Sequence, residues 1–194
     1  MAKASSARDD LLGAAAELFR ARGYEGVGVA ELLEVSGAPR GSLYFHFPGG
    51  KEQIGLEVIE RVGASTREQF RALGGRDIDL DTYIDTVFKA TAKMVKERNF
   101  DGSCPVAAIA AEFAGKDTAL GAAVRGVFTA WEREVAKAAE ARGLIAKNAA
   151  DFASALVGAM EGAFLLSKAQ RSVAPHVNAG RAIKALGAAL TTKN

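Results

Sequence analysis

Cysteine occurs once in the 194 residues, at Cys104. A single thiol excludes an intramolecular disulfide framework and suits a reducing compartment. Histidine is almost as scarce, with His46 and His176 the only two. They leave no zinc-ligand spacing, and neither a Walker loop nor a nucleophile elbow is present. Gly26-x-Gly28 is no dinucleotide fingerprint, because Glu31 stands where the third glycine belongs and no strand precedes it. The Val/Ile/aromatic alternation of strands is missing as well. The longest apolar stretch, Phe152 to Ser167, is short for a membrane span and is interrupted by Glu161. No signal peptide is visible. These absences lead to the expectation of a soluble, cytoplasmic, all-α protein with no catalytic site, no metal, no other cofactor and no membrane partner.

Charge is the next absence. The net charge of +2 is too weak to indicate nucleic acid, and the six basic residues up to Lys51 are matched by six acidic ones. What matters is their placement. Of the 23 acidic residues, none falls between Val35 and Lys51. That stretch, V-S-G-A-P-R-G-S-L-Y-F-H-F-P-G-G-K, opens with turn formers and closes on Pro48-Gly49-Gly50, which cannot continue a helix. Between them the sequence predicts a very short helix with Pro39 at its first position. Leu43 and Phe47, four apart, anchor it inward. Gly41 and Phe45 lie opposite, flanked by Ser42, Tyr44 and His46, with Arg40 at the N-terminal end. An acid-free helix with polar and aromatic tips, presented after a Gly-containing turn, has the properties of a recognition helix for the DNA major groove.

The rest of the chain reads as helix. Ser6 with Asp9 three residues on signals a helix start. Leu11, Leu12, Ala15, Leu18 and Phe19 make one apolar face, and Arg22-Gly23 closes it. Val29 to Ser36 is a second short helix, with Val29, Leu32 and Leu33 inward. Longer helices are expected from Lys51 to Leu73 (Ile54, Val58, Val62 inward), from Asp81 to Arg98 (Ile84, Val87, Phe88, Ala92, Val95), and from Asp117, as cap, to Ala141. A short apolar helix begins at Cys104-Pro105. Asn148 to Lys168 and His176 to Leu190 complete about nine helices. The expected division is a three-helix helix-turn-helix head over residues 1–50 and a larger body over residues 51–194.

The N-terminal residues resemble the tetracycline-repressor (TetR/AcrR) family of bacterial transcriptional regulators. The resemblance rests on A-A-x-E-L-F at Ala14–Phe19, R-G-Y-E at Arg22–Glu25, V-A-E-L-L-E-V-S-G at Val29–Gly37, and G-S-L-Y-F-H-F-P-G-G-K-E at Gly41–Glu52. The P-G-G-K-E ending and G-S-C-P-V-A-A at Gly102–Ala108 are similar to the LmrA/YxaF-type branch. The resemblance implies that Arg40, Gly41, Ser42, Tyr44, Phe45 and His46 face the major groove and that Lys51 contacts a phosphate. Arg40 suits a bidentate guanine contact, worth about 1–3 kcal/mol of discrimination. Gly28 stands where many relatives have a phosphate-touching Ser or Thr, and the Pro-Gly-Gly loop is one residue longer than common. Of the two exposed-side aromatics, Phe45 suits packing better than Tyr44. Of the two histidines, His46 suits function better, His176 reading as a surface residue at a helix start.

The resemblance also implies an effector pocket in the body, with Phe88, Cys104, Phe113, Phe128, Trp131, Met160, Glu161 and Phe164 as candidate lining for an apolar or aromatic small molecule. Cys104, at a helix N-terminus, is in addition a candidate redox sensor. Small and apolar residues on the last two helices (Ala155, Gly158, Ala159, Gly162; Ala182, Leu186, Ala189, Leu190) permit close helix packing, and the resemblance assigns them to the four-helix bundle of a homodimer. The expected protein is a homodimeric transcriptional repressor released from its operator by a small molecule. An activator or dual regulator of the same fold, or a helical small-molecule enzyme, are the competing readings.

Overall fold

Amphipathic segments separated by Gly- and Asp-rich breaks become nine helices among the described residues, which in this computed structural model are 7–101 and 103–191. They are α1 (Ala7–Arg22), α2 (Val29–Ser36), α3 (Ser42–His46), α4 (Gly50–Gly74), α5 (Leu80–Glu97), α6 (Pro105–Phe113), α7 (Ala119–Glu140), α8 (Ala146–Gln170) and α9 (Ala174–Thr191). No strand occurs among the described residues, so the all-α expectation holds. The chain folds into two compact units. One takes in the chain up to Val62 together with Cys104–Val127, the other Gly63–Ser103 together with the chain from Phe128. Two of the three boundaries fall inside helices, α4 and α7, which each begin in the first unit and run on into the second; the third precedes α6.

In the first unit α1 packs on α2, α3 and α6. Leu11, Ala15 and Phe19 of α1 are fully buried with Leu32 of α2, Leu43 of α3 and Phe47 just beyond it, as the periodicity requires. Full burial of each such Leu or Phe contributes about 1.5–3 kcal/mol. Polar ties complete the packing. Arg8 ion-pairs with Glu57 of α4 and lies 5.2 Å above the Phe47 ring. Arg22 ion-pairs with Glu31. The expected start signal at Ser6 lies outside the described residues.

In the second unit α9 packs on α5 and α8. Trp131 is buried and donates its indole N–H to the carbonyl of Gly63 at 2.9 Å. Phe128 stacks edge-on against it, 5.4 Å between ring centres. Arg142, just past α7, donates to the carbonyls of Gly74, Arg76, Ile78 and Ala138 at 2.8–3.2 Å and covers the Tyr83 ring at 5.0 Å. One guanidinium thus satisfies carbonyls left over at the ends of α4 and α7.

Several helix ends differ from expectation by one to a few residues. Asp79, not Asp81, caps α5, accepting the Thr82 N–H at 2.7 Å. Asp117 is exposed, and the Thr118 hydroxyl accepts the Gly121 N–H at 3.1 Å ahead of α7. Pro39 is not the first residue of α3 but part of the turn before it. α8, expected from Asn148 to Lys168, runs two residues further at each end, Ala146–Gln170. At 25 residues, with a mean hydropathy of 1.4 over its best window, it is long and apolar enough to cross a membrane. Leu156, Met160 and Phe164 are nevertheless buried inside the unit, as in the core helix of a globular protein.

His176 is the larger correction. It is no surface residue: it is 0% exposed, with Nδ1 2.9 Å from the Ser167 hydroxyl of α8 and its ring edge-on to Phe164. Burial pushes its pKa down from 6.5 to about 4.

Candidate nucleic-acid interface

The turn between α2 and α3 is built by short-range polar bonds. Gly37 ends α2 in the left-handed region at φ +66°, and its N–H donates to the Glu34 carbonyl. The Ser36 hydroxyl donates to the Leu33 carbonyl at 3.2 Å and accepts the Ala38 N–H at 3.3 Å. Ser42 then opens α3 with both its N–H and its hydroxyl donated to the Pro39 carbonyl, at 2.9 and 2.7 Å. Ser42 therefore has a structural task, and Arg40 and Gly41 stand in the turn, both exposed.

α3 is only five residues long, so its orientation comes from anchoring rather than from helix length. Leu43 and Phe47 are both 0% exposed, whereas Tyr44 is 61% and Phe45 79% exposed. Phe45 is thus not a packing residue. With Leu43 and Phe47 filling the inward side, the following position is carried outward. His46 is half-buried, its ring 5.0 Å from that of Phe45.

The Pro48-Gly49-Gly50 loop is fixed in place. Gly50 has φ +62°, a conformation that side chains resist, and the Tyr44 ring lies close against its Cα side. Gln53 accepts the Gly49 N–H at 3.0 Å and passes its own amide N–H to Glu57 at 3.0 Å. Lys51, half-buried in the first turn of α4, holds its ammonium 4.1 Å above the Tyr24 ring. Burial, together with Glu52, Glu25 and Glu112 around it, pushes the Tyr24 phenol up to about 12, so it stays neutral. Gly28 caps α2 with no side-chain bond. In the first unit Arg40, Gly41, Tyr44 and Phe45 are thus exposed, and His46 and Lys51 are partly exposed.

The candidate pocket residues distribute differently. Cys104 and Phe113 belong to the first unit, the other six to the second. Cys104 is buried at the N-cap of α6, and Phe113 stacks edge-on against Tyr24 at 5.3 Å. Burial of the thiol opposes the exposure that an oxidant sensor needs. Trp131, Met160 and Phe164 are buried, Phe128 is half-buried, and the carboxylate oxygens of Glu161 are shielded from solvent. A groove of about 330 Å³ between α5 and α9 is lined by Phe88, Ala92, Asp85 and Lys89 on one side and His176, Val177, Gly180, Arg181 and Lys184 on the other. Of the eight candidates, Phe88 alone borders that groove. Sequence reasoning missed His176, Arg142 and Glu112. Their partners are remote in the chain, and no local pattern marks them.

Two family models match the chain. Residues 11–58 match the family model for bacterial regulatory proteins of the tetR family. Residues 82–182 match that for the C-terminal domain of LmrA/YxaF-like transcriptional regulators. The chain is 31% identical over 169 residues to the HTH-type transcriptional regulator LmrA of Bacillus subtilis, covering 87% of this chain and 89% of that protein. It is 35% identical over 66 residues to the HTH-type transcriptional repressor NemR of Escherichia coli, about a third of either chain. The crystal structure of a TetR regulatory protein from Rhodobacter sphaeroides superposes with a TM-score of 0.80 at 25% identity, covering 92% of this chain and 97% of that one.

Proposed function

Because this chain belongs to the TetR family of bacterial transcriptional regulators, in its LmrA/YxaF-like branch, we propose that it is a DNA-binding repressor acting as a homodimer and released by a small molecule. The observation that carries the reading is the exposure of Tyr44 and Phe45 on a helix whose neighbours Leu43 and Phe47 are wholly buried. A globular protein has no folding reason to present two adjacent aromatics in an acid-free stretch. Base edges and deoxyribose give one. In this reading α3 enters the major groove, and Arg40 takes a guanine. Gly41 and Ser42 allow close backbone approach, while Tyr44, Phe45 and His46 contact base edges and backbone. Lys51 meets a phosphate at the positive end of the α4 dipole. The relative NemR of Escherichia coli is a transcriptional repressor, which supports repression here. Family membership supports a regulator rather than an enzyme, working in the cytoplasm.

Dimerisation through α8 and α9 is supported by the exposed small and apolar residues there. Gly158, Ala182 and Ala189 are exposed, Ala155, Ala159, Gly162, Leu186 and Leu190 are half-exposed, and Leu165 stands 65% exposed on the Gly158 face of α8. Two linked heads would read half-sites about one helical turn apart, roughly 34–36 Å. The effector, apolar or aromatic, is assigned to the body, with the Phe88, Phe128, Trp131, Met160, Glu161 and Phe164 side chains of the second unit as candidate lining. Its binding opposes DNA binding through α4, which runs from the head into the second unit. The head and body divide, in function, near residue 50. By linkage, DNA must weaken effector binding by the same factor that effector weakens DNA binding. Footprinting on DNA upstream of the gene tests the dimer, with two protected half-sites expected and a single protected site contradicting it. A screen of apolar and aromatic compounds for release of that DNA tests the rest. A tight ligand that left DNA affinity unchanged would remove the release mechanism.

A further inference from the structure

Three consecutive residues between α1 and α2 are shaped around one side chain of α6. The Glu112 carboxylate accepts the backbone N–H of Tyr24 on one oxygen and that of Glu25 on the other, both at 2.8 Å. Gly23, before them, has φ +78°, and a Cβ there would stand 2.1 Å from the same carboxylate. Glu112 makes no ion pair among the described residues, so the two backbone N–H groups are its polar partners. Glu25, Glu52 and Glu112 each lie near enough to the Tyr24 phenol to raise its pKa. The Glu112 carboxylate satisfies two N–H donors that the turn would otherwise leave to water.

The residue so held is a junction. The Tyr24 ring lies 5.2 Å from Phe19 of α1 and 5.3 Å from Phe113, the neighbour of Glu112 on α6. It presses so closely on α4 that a Cβ on Gly55 would come within 2.8 Å of it. On top of it stands the Lys51 ammonium, 4.1 Å away. Two successive residues of α6 therefore grip Tyr24, by its backbone and by its ring, and Tyr24 in turn is the floor on which Lys51 rests.

We infer that Glu112 is a positioning residue for DNA binding: it clamps the Tyr24–Glu25 turn to α6 and thereby fixes Lys51 at the start of α4. A displacement of α6 then reaches the lysine through one turn and one ring, without passing along α4. The inference rests on the reading in which Lys51 contacts a phosphate. It adds α6 as a second route into the head.

The experiment compares wild type, Glu112→Gln, Lys51→Ala and the double variant. The probe is a duplex enriched by the wild-type protein from a random pool, with affinity measured across a salt series. Glutamine keeps the volume but turns an NH2 toward one of the two donors, so one bond becomes a clash of donors. Glu112→Gln is expected to bind roughly tenfold more weakly, the equivalent of one charge-assisted hydrogen bond, with a salt slope lower by about one. The double variant should then be no weaker than Lys51→Ala alone. Amide exchange at Tyr24 and Glu25, read without DNA, should accelerate in Glu112→Gln. If that variant does not fold, Glu112→Asp retains the charge, shortens the reach and should move the slope the same way. An unchanged slope, or losses that add in full, would make Glu112 merely structural and overturn the inference. Unchanged exchange would remove the clamp itself. A pool that enriches no sequence would instead defeat the DNA reading, and the inference with it, whatever the exchange data show.

Discussion

His176 makes stability depend on pH in a direction that the structure fixes. The ring is 0% exposed between α8 and α9, Nδ1 meets the Ser167 hydroxyl, and Nε2 has no hydrogen-bond partner among the described residues. Protonation would place a cation beside Phe164 with no acid in contact, so burial lowers the pKa from 6.5 to about 4. The unfolded chain takes up the proton first. Between pH 6.5 and 4 it binds more protons than the folded one, so stability is fully present above pH 6.5 and falls as the pH is lowered. The complete window is worth on the order of 3 kcal/mol, and about 2 kcal/mol should be gone by pH 5. Urea unfolding at fixed protein concentration, from pH 7.5 to 5.0, measures this. His176→Asn is the control, because asparagine can still bond Ser167 but does not titrate. Asp85, Lys89, Arg181 and Lys184 line the adjoining groove. Asp85 is held below the ordinary carboxylate range by Lys184, a contribution common to both proteins that cancels in the comparison. The variant should lose less stability than wild type on acidification, by about 2 kcal/mol at pH 5. Parallel pH dependence in the two proteins would refute the argument.

Three further substitutions probe other parts of the fold. Trp131→Phe removes the indole donor and leaves the Gly63 carbonyl buried without it. Chemical denaturation should register a loss of about 1–3 kcal/mol. Leu165→Arg places a charge on the exposed apolar face of α8. Sedimentation should show monomer where wild type is dimer, with no change in helix content. Gly50→Ala forces a side chain into a φ of +62°. It should cost about 1–2 kcal/mol in thermal unfolding and weaken DNA binding by disturbing the loop under Tyr44.

Much of this architecture was legible in the chain. Leu11, Ala15 and Phe19 announce α1 through their spacing. Leu43 with Phe47 announces the inward side of α3, because helical periodicity is a local property. Helix ends were harder, since neighbouring residues compete for the same orphan N–H groups. Asp79 prevails over Asp81, and Thr118 over Asp117, by fit rather than by type. Phe45 shows that an aromatic side chain does not choose its side; the anchors on either side of it choose. Illegible altogether were the groups whose partners lie far along the chain. Glu112 bonds an amide 88 positions away, and Arg142 gathers carbonyls 64 to 68 positions back. His176 reads as a surface residue until the turn after α8 folds it onto Ser167. Of the residues proposed to face DNA, the family resemblance supplied the roles, while anchoring and loop geometry determined which side chains are exposed.

The most direct test of the account is binding of the purified protein to DNA beside its own gene, against random duplex, across a salt series. The account predicts specific binding with a steep salt dependence, lost in an Arg40→Ala/Tyr44→Ala variant that melts like wild type. Equal binding by that variant, or a wild type whose preference for any selected sequence over random DNA is nil, would contradict it.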